Sequence, residues 1–121
     1  MYGNTKISVS TRPSGHNEFR EYRDSLPRKE REKLMGAIKF TEDKGLLIAA
    51  QMLVISKLTP DIYELRSRLG KNWQRALYFH VVGNDFVITH GFSKKKNKTP
   101  LLEIRHAEEL RDEFYETISR K

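Results

Sequence analysis

Between residues 62 and 92 the chain alternates apolar and polar side chains in three short runs, 62–69, 74–82 and 85–92, with turn residues at both joins. Gly70-Lys71-Asn72-Trp73 links the first two and Gly83-Asn84 the last two. Connections this short between alternating runs are satisfied by antiparallel hairpins. Alternation sends every second side chain to the same face. Glu64, Arg66 and Arg68 therefore share one face of the first run, with Tyr63, Leu65 and Leu69 on the other. Arg75 goes with Leu77 and Phe79, and Tyr78 with His80. The third run is apolar on both faces at Phe86, Val87 and Ile88, as a strand covered on both sides would be.

The flanks supply the cover. After Pro100, which suits a first helical turn, Leu101, Ile104, Ala107, Leu110, Phe114 and Ile118 recur at three- and four-residue spacing. That predicts a C-terminal amphipathic helix on the sheet. Upstream, residues 6–11 read as a short strand with Ile7 and Val9 inward. Asn17 is placed to cap a helix ending near Ser25, with Phe19, Tyr22 and Leu26 on its inner face. Ser25 is a plausible cap for a second helix over 28–44, with Leu34, Met35, Ile38 and Thr41 inward. Residues 46–55 are read as buried, in a short helix or a connector; a run of this length fits both. With no repeat and no linker, residues 1–121 are expected to form a single domain of the α+β class.

Several functional classes are disfavoured. Cysteine is absent, so a disulfide framework and a thiolate metal site are both excluded. No two histidines have helical ligand spacing, so neither a metal nor another cofactor is expected. The apolar run 46–55 is interrupted by Gln51 and is too short to span a bilayer. Residues 1–17 are polar and lack the apolar segment of a signal peptide. A cytoplasmic protein without membrane association is the expectation.

The net charge of +7 is confined to one part of the chain. From Arg66 to Lys98 there are eight basic residues (Arg66, Arg68, Lys71, Arg75, Lys94, Lys95, Lys96 and Lys98) against Asp85 alone. Elsewhere 15 basic residues balance 15 acidic ones. A lysine run alone is usually a solvated loop. Here it follows His90-Gly91-Phe92 and shares a sheet with two arginines, so Arg66, Arg75 and the lysines can converge on one side. Guanidinium forks suit phosphates. Arg68 and Lys71 read as general electrostatic contacts or as solvent-exposed, Lys96 and Lys98 extend the cation field, and Trp73, in a polar loop, is a candidate stacking ring for a single strand. Tyr78 and Phe92 are further candidate rings, with core packing the competing reading.

Such a face can also perform chemistry. RNA carries its own nucleophile, the 2′-hydroxyl, so cleavage requires a base, an acid and cations for the charge building on the phosphoryl group. His90 has a reference pKa near neutrality and is the natural proton-transfer candidate. Lys94 and Lys95 suit leaving-group acid or charge stabiliser, and Arg66 and Arg75 a phosphate clamp. His80 reads as structural. His106 and His16 have no neighbouring cluster in the sequence and are given no role.

The pieces Tyr63-Glu64-Leu65-Arg66, Arg75-Ala76-Leu77-Tyr78-Phe79, His90-Gly91-Phe92-Ser93-Lys94-Lys95 and Lys98-Thr99-Pro100, followed by Glu103-Ile104 and Ala107, occur in that order over about 45 residues. Over this span the chain resembles the HigB-like branch, the phage Gp49-like group, of the RelE/ParE toxins of type II toxin–antitoxin pairs. The resemblance implies a small α+β fold: an N-terminal strand, two helices, a three-stranded antiparallel meander and a C-terminal helix. It further implies an endoribonuclease that cuts translated messenger RNA on the ribosome. Its partner would be a helix-turn-helix, HigA-like antitoxin, through which alone it would meet operator DNA. On the matching positions it assigns Arg66 and Arg75 to phosphate binding and transition-state stabilisation, and His90, Lys94 and Lys95 to the C-terminal active-site stretch. It does not say which of these is base or acid. Two other classes remain open: a ParE-type gyrase poison, and a non-catalytic nucleic-acid-binding module.

Overall fold

The computed structural model describes residues 5–94 and 98–119. In chain order its elements are β1 (Lys6–Val9), α1 (Glu18–Ser25), α2 (Arg28–Lys44), α3 (Leu46–Gln51), β2 (Ile55–Lys57), β3 (Ile62–Leu69), β4 (Asn72–His80), β5 (Asp85–Lys94) and α4 (Leu101–Ser119). The class is α+β, as expected. The meander is present, with Ile62 opposite Phe79 and Arg66 opposite Arg75 across β3 and β4. It is the centre of a five-stranded mixed sheet in the order β1-β5-β4-β3-β2. β1 adds to β5 in parallel, Ile7 opposite Phe86. β2 adds antiparallel to β3, Ile55 opposite Leu65.

Residues 46–55 thus hold both a short helix and the start of a strand. Ile55 and Ala49 are buried, but Leu47, Met52 and Leu53 are exposed at 74%, 63% and 69%, against the expectation of a buried segment. Two further details differ. Asn17 caps α1 through its side chain, which accepts from the Arg20 N–H at 2.9 Å. Ser25, however, does not cap α2: it ends α1, its hydroxyl donating to the Tyr22 carbonyl at 2.7 Å, and Pro27 takes the cap position. Met35 turns outward, while Leu34, Ile38 and Thr41 point in.

Alternation decides which core each strand residue joins. One face of the sheet carries Leu65, Ala76, Tyr78, Phe86 and Ile88 against Phe19, Leu26, Leu34 and Ile38 of the N-terminal helices. The other carries Ile62, Leu77, Phe79, Val87 and Phe92 against Ala107 and Phe114 of α4. Tyr78 and Phe92 therefore belong to the two cores. No helix among the described residues is long and apolar enough to cross a membrane.

Helix α4 covers only part of its face. Its Glu103 meets His90, and further along Arg111 pairs with Asp61 at 3.0 Å and the Tyr115 hydroxyl donates to the His80 carbonyl at 3.4 Å. The helix thus starts level with His90 and runs toward the Asp61 end. The opposite end of the same face, with Arg66, Arg68, Trp73 and Lys94, lies before its first turn.

Candidate nucleic-acid interface

Sequence reading places Trp73 in a loop, but β4 begins at Asn72 and Trp73 is a strand residue. The turn shortens to Gly70 and Lys71, so Trp73 faces Arg68 on one side and Lys94 on the other. Arg66 is one pair further along, opposite Arg75. Alternation puts all five side chains on the face α4 leaves open. The guanidinium carbons of Arg68, Arg75 and Arg66 lie 5.1, 5.4 and 5.9 Å from the centre of the Trp73 ring. Three like charges repel, and the negative face of the indole offsets part of that.

Two of these arginines are anchored. Arg66 is half-buried and its Nε donates to the Leu53 carbonyl at 2.9 Å. Leu53 carries an unusual positive φ of 62° to present that carbonyl. Arg68 is exposed, and its Nε donates to the Gly70 carbonyl at 2.7 Å. Lys71, Lys94 and Lys98 are exposed. Lys95 and Lys96 lie outside the described residues.

Arg75 is placed differently from the other cations. Its side chain is fully buried and forms an ion pair with Glu64, itself 2% exposed. The Thr99 hydroxyl donates to the same Glu64 oxygen at 2.9 Å and lies 3.3 Å from Arg75 Nη1. The expected phosphate clamp is therefore engaged by a carboxylate beneath the surface. Glu64 and Thr99 were missed as site residues. Shared parity of Glu64 and Arg66 was visible, but the arginine that meets Glu64 is set by the cross-strand register.

His90 faces this side because of a bulge. Leu77 pairs with His90 while Tyr78 pairs with Ile88, leaving Thr89 as an extra residue. His90 is 4% exposed, with Nδ1 3.1 Å from the Thr89 hydroxyl and Nε2 3.1 Å from Glu103 Oε1. Burial lowers its pKa from the usual 6.5, and the neighbouring His106 lowers it further, against the opposing pull of Glu103 and Glu18. The imidazole is thus biased toward its neutral form.

His106 does have a cluster, contrary to the sequence reading. Its ring stands edge-on to His90 with centroids 4.7 Å apart, and its Nε2 lies 2.7 Å from Glu18 Oε1. Glu18 accepts from Arg12 at 3.0 Å, and Arg12 reaches Glu113 of α4 at 3.0 Å. The network joins segments far apart in the chain, which no local spacing reveals. His16 meets Glu21, and the His80 Nε2 lies 2.7 Å from the Gly83 carbonyl, a structural role. On the other side of β5, Tyr22 packs on Gly91 and its hydroxyl meets Ser93 at 2.8 Å. Burial pushes the Tyr22 phenol up to about 12. Among the described residues no group of three or more His, Asp or Glu is placed to hold a metal ion.

Comparison with known families gives one match: the family model described as phage derived protein Gp49-like (DUF891) covers residues 21–112. That range contains the whole meander, the arginine–tryptophan cluster, His90 and α4 as far as Asp112. A comparison with curated proteins gives no match.

Proposed function

We propose that this chain, which belongs to the phage-derived Gp49-like family (DUF891), the HigB-like branch of the RelE/ParE toxins, is an endoribonuclease that cuts messenger RNA on the ribosome. Membership makes it a toxin-like module; the activity is our reading of the site. The observation that carries it is the open end of the α4 face. There Arg66, Arg68 and Lys94 gather round Trp73, on the sheet face that also carries, further along, a histidine biased toward its neutral form.

In this mechanism the 2′-hydroxyl of the RNA attacks the adjacent phosphorus and the 5′-oxygen leaves, so the protein supplies proton transfer and charge. Arg66 holds the scissile phosphate. Lys94, with Lys95 next in the chain, protonates the leaving oxygen or stabilises the phosphoryl charge. The proton acceptor is the His90–Glu103 pair: the imidazole is buried, and the 2′-hydroxyl proton reaches it through the partly exposed carboxylate 3.1 Å from Nε2. Arg75 acts from beneath as a positioning residue, since Glu64 already engages it. Arg68, Lys71, Lys96 and Lys98 bind the RNA and ribosome, with Trp73 packed among the arginines of that face. The partner that silences it is a helix-turn-helix, HigA-like antitoxin, and the positive face speeds that association more than it deepens it.

The test is single-turnover cleavage on programmed ribosomes, with ribosome binding measured in parallel. Arg66→Ala is expected to lose on the order of 10²-fold in cleavage, as for one preorganised oxyanion donor. If Arg66→Ala and Lys94→Ala both fold, bind and cleave at wild-type rates, the site is elsewhere. In cells, RNA ends mapped after induction should fall inside translated frames. Intact messages with a DNA-damage response would instead identify a gyrase poison.

A further inference from the structure

We infer that Arg66 and Arg68, held by Trp73, form a two-step ladder for consecutive phosphates of an extended single strand, and that Trp73 is a positioning residue for it. This rests on the nucleic-acid reading of the face but not on cleavage. Three observations combine. First, Arg66 and Arg68 are two residues apart on β3, so they rise from one face about 7 Å apart. That separation matches neighbouring phosphates on an extended nucleic acid strand. Second, each guanidinium is tied at Nε, Arg66 to the Leu53 carbonyl at 2.9 Å and Arg68 to the Gly70 carbonyl at 2.7 Å. Anchoring one edge directs the two-nitrogen edge of the fork away from the anchor, the geometry that receives a phosphate.

Third, the Trp73 ring is within 5.1 and 5.9 Å of those two guanidinium carbons, and Arg75 lies 5.4 Å away. A ring already attended by three guanidinium groups is not an open platform for a base. Its role is to fix the side chains of two arginines and to lower the cost of bringing them together. An acidic peptide is the competing occupant. Its carboxylates are borne on flexible side chains, whereas a fixed repeat of rigid forks favours charges fixed along a backbone.

The test uses binding alone. A short 2′-O-methyl oligouridylate cannot be cleaved, because its nucleophile is blocked. Trp73 is the chain's single tryptophan, so its emission reports directly on the ladder. Emission should change and saturate with the oligonucleotide, at much lower concentration than with uridine monophosphate. Anisotropy of the labelled oligonucleotide then compares folded variants. Trp73→Phe keeps a π face and should bind within about threefold of wild type; Trp73→Leu keeps bulk alone and should be weaker by roughly tenfold. Arg68→Ala should reduce the salt slope by about 0.7, the share of one phosphate contact on a single strand. Arg68→Lys, which keeps the charge without the anchored fork, should weaken binding several-fold with the slope unchanged. Equal affinities for Trp73→Phe and Trp73→Leu would overturn the positioning role, and so would a silent emission. A mononucleotide binding as well as the oligonucleotide would overturn the ladder. Polyglutamate binding as tightly as the oligonucleotide would assign the face to an acidic protein. Failure to cleave RNA, with these binding results intact, would remove the nuclease reading and leave the ladder standing.

Discussion

Replacing Glu64 with glutamine is the sharpest test of how the site is built. Glu64 and Arg75 have side-chain exposures of 2% and 1%, so both partners have given up nearly all their water. Glutamine has almost the same shape and keeps an oxygen for Arg75 and for the Thr99 hydroxyl, which donates at 2.9 Å. What it removes is the negative charge opposite a buried guanidinium. Taking one partner from a buried pair costs about 3–5 kcal/mol, and the retained oxygen places this variant near the lower end, about 3 kcal/mol. For a chain of this size that corresponds to a fall of roughly 12 °C in Tm. It is also a large share of the ~5–15 kcal/mol that holds a domain folded. The assay is urea unfolding of wild type, Glu64→Gln, Arg75→Met and the double variant at neutral pH. The double variant should be more stable than the sum of the singles predicts, because the two charges are removed together. A Glu64→Gln protein within about 1 kcal/mol of wild type, with additive singles, would refute the claim that the pair is enclosed and interdependent.

Three further outcomes are expected. Gly91→Ala should destabilise by about 1–3 kcal/mol, because a Cβ there would stand 2.7 Å from Tyr22 Cε2 and 3.0 Å from the Arg75 carbonyl; Tyr22→Leu should partly restore the urea midpoint. His90 has a folded pKa below its usual 6.5, so the unfolded chain binds its proton first and stability should decline as pH falls from about 6.5 toward the lowered folded value. His90→Asn should flatten that part of a stability–pH profile. Glu18 acts in the same sense at lower pH: burial opposes ionisation, but His106 and Arg12 hold its pKa below 4.5, so its contribution should persist above that value and be lost as pH falls further, a separate inflection absent from Glu18→Gln.

Strand alternation and short turns were enough to place β3, whose bounds are those expected, and to put Arg66, Arg68 and Arg75 on one face. They were not enough for Trp73. The polar residues around it resemble a loop, and only its pairing with Arg68 and Lys94 makes it a strand residue. The same limit applies to Arg75, whose parity was legible but whose burial depends on Glu64 and Thr99 closing over it from other segments. His106 met His90 through the docking of α4, an angle and distance that helical periodicity does not encode. Residues 46–55 misled in another way: apolar composition promised burial, yet Leu47 faces outward from α3, and Met52 and Leu53 from the turn after it, which Arg66 ties down.

Thr89 gives β5 two phases rather than one. Up to Ile88 the strand keeps step with β1 and the buried meander; from His90 onward it keeps step with Arg75 and Trp73. Deleting this residue would leave Ile88 opposite Tyr78 and His90 opposite Leu77, so His90, Phe92 and Lys94 would keep their face and only the local bend and the Thr89 hydroxyl contacts would go. Keeping Thr89 but drawing it into the ladder opposite Leu77 would instead turn His90, Phe92 and Lys94 over as a block, exchanging them with Gly91 and Ser93, which now sit against Tyr22. The working end of β5 is thus aimed by one residue that stays out of the pairing, while the cores beneath the other half keep their partners either way.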